Sequence, residues 1–537
     1  MTEKLALLHP EIALFVATCV VMVLGLSRNA ATRRLTSLVA GLALIVAFVL
    51  SLWSPQSGGL FPSMLPFTKA TIAGVSFLLL LSLVGVVDRD YESMISRGGR
   101  FDPLRANRGE FFAFFLFSVT GVMLCASADD LIWLFLALEL TSLPTYIMVA
   151  MSSQKLRSQE AGVKYFFLGA FGAAIFLYGF AMLYGATGTT SLSEIRGSFQ
   201  ASMLAGEGIP TLGIFGLTMA IIGIGFKIAA VPMHFYTADV YQGAASPVTG
   251  YLAFAPKTAG FLALLPLLAT VGWGWPDSPM TVSSAGLPDA IRVVLWVMAA
   301  MTMTVGNVLA LMQSSAKRVL AYSSIAHSGY ILVGLVAGPG DGSSVWENGL
   351  AAILFYLLVY GVTNAGAFAV LASLERRVSR ETGDTEVDSI NDLKGMWAQH
   401  PWLALAWSLC ILSLLGFPPL LGFWPKLHLF FASISAGEVV LAVILAFNSA
   451  IAAFYYLRLV IAAYIDRADA STTAKELTEF LSRPVAALAS AGLVVALIFA
   501  FGGLQKASER AIDGAAISDA VEQVNATPTV DTISDPR

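Results

Sequence analysis

The sequence predicts an all-α polytopic membrane protein with about fourteen transmembrane helices. Of its 537 residues, 57% are hydrophobic and 12% charged, against about 45–50% and about 25% in an ordinary soluble domain. Mean hydropathy is +0.76. The apolar residues gather in runs of roughly 20, bounded by charges, Pro or Gly, which is the length that crosses a hydrocarbon layer. A soluble enzyme is excluded. The formal net charge of −4, from 31 Lys plus Arg against 35 Asp plus Glu, gives no support to a nucleic-acid partner held by phosphate neutralisation.

The first three runs, 11–27, 35–53 and 67–87, form an N-terminal segment, 1–109. The next five, 110–127, 130–151, 161–185, 211–236 and 247–272, fill residues 110–272. Five more, 292–312, 318–338, 348–373, 402–433 and 438–464, fill residues 273–464. A last span, 484–504, and a tail too poor in apolar residues to build a domain make up 465–537. No cleavable signal is expected, because Lys4 leads through His9, Pro10 and Glu11 into a span of full length.

The fourth span of each group of five is interrupted. Pro232 follows Lys227 in the seventh span, and Pro418, Pro419, Gly422 and Pro425 precede Lys426 in the twelfth. Interior Pro breaks a helix. In a bilayer a break is tolerated where the freed backbone groups face protein or water, and broken helices in matching positions of two halves mark a transport path. Five is odd, so the two groups are expected to sit inverted relative to each other, as two inverted five-helix repeats (spans 4–8 and 9–13).

Lys and Arg alternate between loops, and cytoplasmic loops retain positive charge. Arg28, Arg33 and Arg34 follow span 1; Arg89, Arg97, Arg100, Arg105 and Arg108 follow span 3; Lys155 and Arg157 follow span 5. Lys317 and Arg318, then Arg376, Arg377, Arg380 and Lys394, then Arg467, Lys475 and Arg483 follow spans 9, 11 and 13. The even loops carry almost only Lys69 and Arg196. Both termini are therefore expected outside the cytoplasm.

A charge at the bilayer centre costs at least about 2.5–3.5 kcal/mol, so each one kept there is a functional candidate. Four qualify: Glu139 in LIWLFLALELTSLPTY, Lys227 in AIIGIGFKIAAVPMHFY, Lys257 in YLAFAPKTAGFLALL and Lys426 in LLGFPPLLGFWPKLHLF. Withdrawal from water disfavours the charged form of lysines and carboxylates alike, which suits such groups to proton exchange. A Glu139–Lys227 pair would act as a switch, releasing a proton when pulled apart. The plainer alternatives are lysines that snorkel to an interface and static pairs that fix packing. His327, in SSIAHSGY, and His234 lie in or near spans 10 and 7 and could relay protons or only pack. Glu160 and Lys164, four apart, read either as a helix-end pair or as a cytoplasmic proton entry. Asp129 and Asp130 read as solvated, and His428 as a weak candidate beside Lys426. The segment Glu375–Lys394 and the tail after Gln505 read as solvated.

Cys19, Cys125 and Cys410 lie scattered in apolar runs without CxxC spacing, as packing residues. There is no GxxxxGK[ST], no Rossmann glycine fingerprint and no haem or iron–sulfur pattern. The chain thus holds no energy source of its own.

The segments LFLALELTSLPTY, EAGVKYFFLGA, GFKIAAVPMHFYTADVYQGA, RVLAYSSIAHSGY and LLGFPPLLGFWPK resemble the antiporter-like membrane subunits of respiratory complex I, over most of the chain. Within that family the LALEL segment and the lysine at Lys426 look most like the subunit N branch of bacterial NADH-quinone oxidoreductases. The resemblance implies a fourteen-helix fold with two inverted five-helix repeats and a proton path through a hydrophilic axis. It implies roles in proton translocation for Glu139, Lys227, Lys257, Lys426, His327 and Lys164. It places NADH, flavin (FMN), iron–sulfur clusters and quinone in partner subunits and leaves no cofactor in this chain. A related core serves multisubunit Na⁺/H⁺ antiporters and membrane-bound hydrogenases, which stand as alternatives beside a purely structural membrane subunit.

Overall fold

The computed structural model describes residues 6–55, 60–86, 108–152, 156–273, 286–340, 344–375, 387–464, 476–477 and 480–513. Most of the arginines behind the orientation argument, Arg89 to Arg105, Arg376 to Arg380 and Arg467 among them, lie outside the described residues.

Helices account for nearly all of what is described. The N-terminal three are α1 (His9–Gly25), α2 (Ala30–Leu52) and α3 (Met64–Leu83). There follow α4 (Arg108–Ala126), α5 (Leu131–Met151), α6 (Leu156–Thr187), a short α7 (Leu192–Leu204), α8 (Thr211–Lys227), α9 (Thr237–Gly243) and α10 (Ser246–Ala269). The second half runs α11 (Asp289–Leu311), α12 (Ala316–Ala337), α13 (Gly349–Ser373), α14 (Met396–Gln399), α15 (Pro401–Leu415), α16 (Phe423–Ser435) and α17 (Val439–Tyr464). The chain closes with α18 (Ser482–Phe499) and α19 (Phe501–Asp513). A two-residue ladder pairs Leu374–Glu375 with Glu476–Leu477.

Eleven of these helices are long and apolar enough to cross a membrane, and three shorter apolar ones, α1, α8 and α15, accompany them. Two of the three are halves of interrupted segments, as the prolines require. Helix α8 stops at Lys227, the chain passes through Ala229 (φ 55°) and the cis bond Val231–Pro232, and α9 resumes at Thr237. Helix α15 stops at Leu415, the chain passes through Gly416 (φ 83°) and the cis bond Pro418–Pro419, and α16 resumes at Phe423.

The bundle has an inside and an apolar outside. Over their apolar stretches α10, α12 and α13 are 94–100% buried, whereas α2, α6, α17 and α18 are 33–39% buried. The exposed faces of the outer helices carry Phe15 and Val23 on α1, Leu38 and Leu42 on α2, Phe167 and Phe171 on α6, and Phe447 and Phe454 on α17. Such a belt is unfavourable in water.

Four expectations for loops and termini change. Lys69, read as a loop charge, is fully buried on α3, donates to the Leu7 carbonyl (2.8 Å) and pairs with Glu11 (2.7 Å) on α1. The tail after Gln505 continues as α19 to Asp513, with Gln505, Ser508, Ala511 and Ile512 buried, because its few apolar residues line one side of a helix. In the segment Glu375–Lys394, 376–386 lies outside the described residues, but Val387, Asp392 and Leu393 are buried and a capping box closes the turn at Ser389. Asp130 is likewise more than a solvated charge: it is half-buried, caps α5 by accepting from Ile132 N (2.7 Å), and accepts from Thr190 Oγ1 (2.5 Å). Arg196, on α7 outside the spans, donates to the Ala269 and Trp273 carbonyls at the end of α10, and its burial lowers the guanidinium pKa.

Candidate functional site: a buried row of lysines

Lys227 is the last residue of α8. Its Nζ donates to Glu139 Oε1 (3.0 Å) and to Ser142 Oγ (2.7 Å), both on α5. Glu139 and Ser142 are three apart and so share a helix face. Ser142 donates in turn to Leu138 O (2.9 Å), which leaves its oxygen free to accept from the lysine. The Phe176 ring centroid lies 5.7 Å from the ammonium. Lys227 is 2% exposed at its side chain and Glu139 17%, so the pair is closed on the lysine side and more open on the carboxylate side.

Lys257 lies on α10 and is buried. Gly260, one turn further on, lets the end of α8 press against α10: a Cβ there would stand 2.5 Å from Ile228 Cγ2 and 3.4 Å from Lys227 Cβ. The two lysines thus sit on touching elements with side chains reaching different ways. Lys257 Nζ donates to the Ser324 carbonyl of α12, with the Tyr360 ring centroid at 5.7 Å.

From Ser324 the polar groups continue along α12. Ser323, Ser324, His327 and Tyr330 recur at spacings of three and four, one face of the helix. Tyr360 OH donates to Ser324 Oγ (2.7 Å), and Tyr241 OH of α9 lies 3.3 Å from the same oxygen. His327 Nδ1 meets Tyr356 OH (2.6 Å) and its Nε2 meets Tyr456 OH (2.9 Å), while Tyr456 OH also bonds Ser323 Oγ. Neutral imidazole has one donor and one acceptor nitrogen, so this ring is held between two hydroxyls that can each play either part.

Lys426 ends the row. It lies in the first turn of α16, and its Nζ donates to the carbonyls of Leu414 (3.0 Å) and Leu415 (2.7 Å), the last of α15. Carbonyls at a helix C-terminus lack partners within the helix and carry the negative end of its dipole. The Tyr330 ring centroid lies 4.9 Å from the ammonium. The break in the segment therefore creates the cation's binding site.

Not every sequence candidate joins the row. Lys164 is 45% exposed and pairs with Glu160 (2.7 Å) and Asp239 (3.5 Å). His234 falls in the break between α8 and α9, its ring 4.7 Å from that of Phe235. His428 is buried against Trp346 (5.5 Å). Sequence reasoning did not single out Ser142, Ser323, Ser324, Tyr241, Tyr356, Tyr360 and Tyr456, nor the aromatic ring beside each of the three lysines. The spacing of Ser323, Ser324 and His327 was visible in SSIAHSGY; the tyrosines, from three other helices, gave no local signal.

Residues 128–452 match the family model described as NADH:quinone oxidoreductase/Mrp antiporter, TM. The chain is 40% identical over 406 residues to NADH-quinone oxidoreductase subunit N 1 of Sorangium cellulosum, covering 75% of each. It is 36% identical over 512 residues to NADH-quinone oxidoreductase subunit N of Bdellovibrio bacteriovorus, covering 94% of this chain and 98% of that one. Among solved structures, a chain of respiratory complex I from Thermus thermophilus with bound aureothin superposes with a TM-score of 0.71 at 30% identity, covering 93% of this chain and 98% of that one.

Proposed function

The chain belongs to the subunit N family of NADH-quinone oxidoreductases, and from that membership we propose how its own residues move a proton. As a member it is an antiporter-like, proton-translocating membrane subunit of a multisubunit respiratory translocase.

The Lys227–Glu139 contact carries the reading. While the two groups touch, each stabilises the other's charge; when they part, the buried lysine is left in a medium that disfavours ammonium, and it sheds its proton. Lys257, on the adjoining helix, takes its place in the row. Ser324, His327, Tyr356 and Tyr456 continue the path toward Lys426, whose carbonyl cradle stabilises the arriving charge. Lys164, beside Glu160 and Asp239, stands at the mouth. Moving one charge across 100 mV takes about 2.3 kcal/mol. A unit pair at 4 Å is worth about 4 kcal/mol at an effective dielectric of 20, so opening one such pair is on the right scale.

Uptake runs from the cytoplasm through the half holding Lys227 and Lys257, and release runs outward through the half holding Lys426. Counting each interrupted segment as one crossing gives fourteen, with both termini outside the cytoplasm of a bacterial cell and the chain in its inner membrane. Residues 1–109 form the N-terminal segment, 110–272 and 273–464 the two repeats, and 465–537 the closing helix and tail. NADH, flavin, iron–sulfur and quinone chemistry lies in partner subunits.

The test is the assembled complex carrying Lys227→Met, reconstituted in vesicles, with protons translocated per NADH oxidised as the readout. A lower ratio supports the reading. An unchanged ratio overturns it, and less assembled complex with an unchanged ratio is what purely structural charges would give.

A further inference from the structure

Helix α9 has seven residues and is cut from α8 by the proline break, so neighbours must fix its place. It carries Tyr241, whose hydroxyl faces Ser324, the residue whose carbonyl holds Lys257. What fixes α9 therefore fixes that part of the buried row.

Ser158 holds the Gly243 carbonyl (2.7 Å) and Lys317 the Ala244 carbonyl (3.0 Å), and a further fixing group comes from far away in sequence. Gln242, next to Tyr241, donates from Nε2 to Asp388 Oδ2 (2.8 Å). The other oxygen of Asp388 accepts from Ser315, the N-cap of α12, and the Asp388 carbonyl accepts from Ala316 N (2.6 Å). Arg157, at the start of α6, lies 3.9 Å from the carboxylate. Asp388 is itself held: its N–H and that of Ser389 donate to Asp392 Oδ2 (3.1 and 2.8 Å), and Ile390 N donates to Ser314 O (3.0 Å). One carboxylate thus binds α9, at the first break, and the N-cap of α12, the helix that carries the relay. Arg318 bonds α9 as well, through Asp239 (2.8 Å) and Gln242 Oε1 (3.3 Å).

We propose that Asp388 is a positioning residue for proton translocation: through Gln242 it sets α9 so that Tyr241 stays against Ser324, whose carbonyl holds Lys257. This rests on the reading of Lys257 as part of the proton path. Asp388 touches no member of the buried row. Its effect passes through the placement of one short helix.

The test uses the assembled complex in vesicles, with protons per NADH and the amount of assembled complex both read. Asp388→Ala and Gln242→Leu are expected to lower the ratio toward that of Lys257→Met, and the double variant to lower it no further than either alone. Asp388→Asn is expected to restore it, since the amide oxygen can accept from Gln242 and its N–H can donate to Ser315. A normal ratio for Asp388→Ala beside a lowered one for Lys257→Met overturns the positioning role alone. So does Asp388→Asn behaving like Asp388→Ala, which would assign the effect to charge beside Arg157. A normal ratio for Lys257→Met overturns the path reading itself, and the positioning role with it.

Discussion

Lys227 and Glu139, 88 residues apart in sequence, meet at 3.0 Å at the residue where α8 ceases to be helical. The lysine is the enclosed partner and the carboxylate the more open one. Removing one member of a buried pair strands the other, so the two deletions are unequal. Glu139→Gln leaves a buried ammonium with a neutral amide oxygen, Ser142 and a ring face, whereas Lys227→Met leaves a carboxylate on the less enclosed side of the pair. Glu139→Gln is expected to lower the thermal stability of the assembled complex more than Lys227→Met does, and the double variant less than Glu139→Gln. Thermal unfolding in detergent checks the order.

Gly416 is where the second break and the second lysine depend on one residue. Its φ of 83° disfavours any residue with a Cβ, at about 1–2 kcal/mol, and a Cβ there would stand 2.9 Å from Lys426 Cδ. Gly416→Ala is therefore expected to move the ammonium off the Leu414 and Leu415 carbonyls and to lower protons per NADH as Lys426→Met does. A pumping assay on matched amounts of complex decides it; equal pumping in Gly416→Ala and the unaltered complex would mean that the cradle tolerates the shift.

The lysines were legible because a charge in an apolar run has few bland explanations, and the breaks because proline cannot continue a helix. Glu139 and Lys227 could be named as a pair for the same reason. Their surroundings were not legible: the Tyr356 and Tyr360 hydroxyls on α13 and that of Tyr456 on the more distant α17 look from sequence like ordinary apolar-face aromatics. Lys426 could be flagged, yet nothing local says that its partners are backbone carbonyls. Asp388 sits in a polar stretch whose composition resembles any solvated loop, and only the fold brings it to Gln242.

Lys69 and Glu11 show the same limit at the N-terminal segment, since each lies near a helix start and passes for an interfacial charge. Both are buried, 2.7 Å apart, with Ser127 Oγ 3.4 Å from the same carboxylate oxygen. Breaking a buried pair by removing one partner costs about 3–5 kcal/mol. Lys69→Met is expected to destabilise the complex strongly, and Lys69→Met with Glu11→Gln to recover part of the loss. A thermal shift for the double variant as large as the sum of the single ones would show that the two charges act independently.

His327 separates relay from packing. Its two nitrogens meet Tyr356 and Tyr456 at 2.6 and 2.9 Å, so a proton passing through the ring must enter at one hydroxyl and leave at the other, with the tautomer reversed afterwards. Tyr356→Phe and Tyr456→Phe each remove one end and leave a buried ring nitrogen unpaired, at about 1–3 kcal/mol. If the ring only packs, either variant lowers stability and leaves protons per NADH unchanged. If it relays, each lowers the ratio or slows coupled turnover, and the slowing grows in D₂O because proton transfer has become the limiting step. The expected result is the second, with Tyr456→Phe the more damaging, because its hydroxyl also holds Ser323.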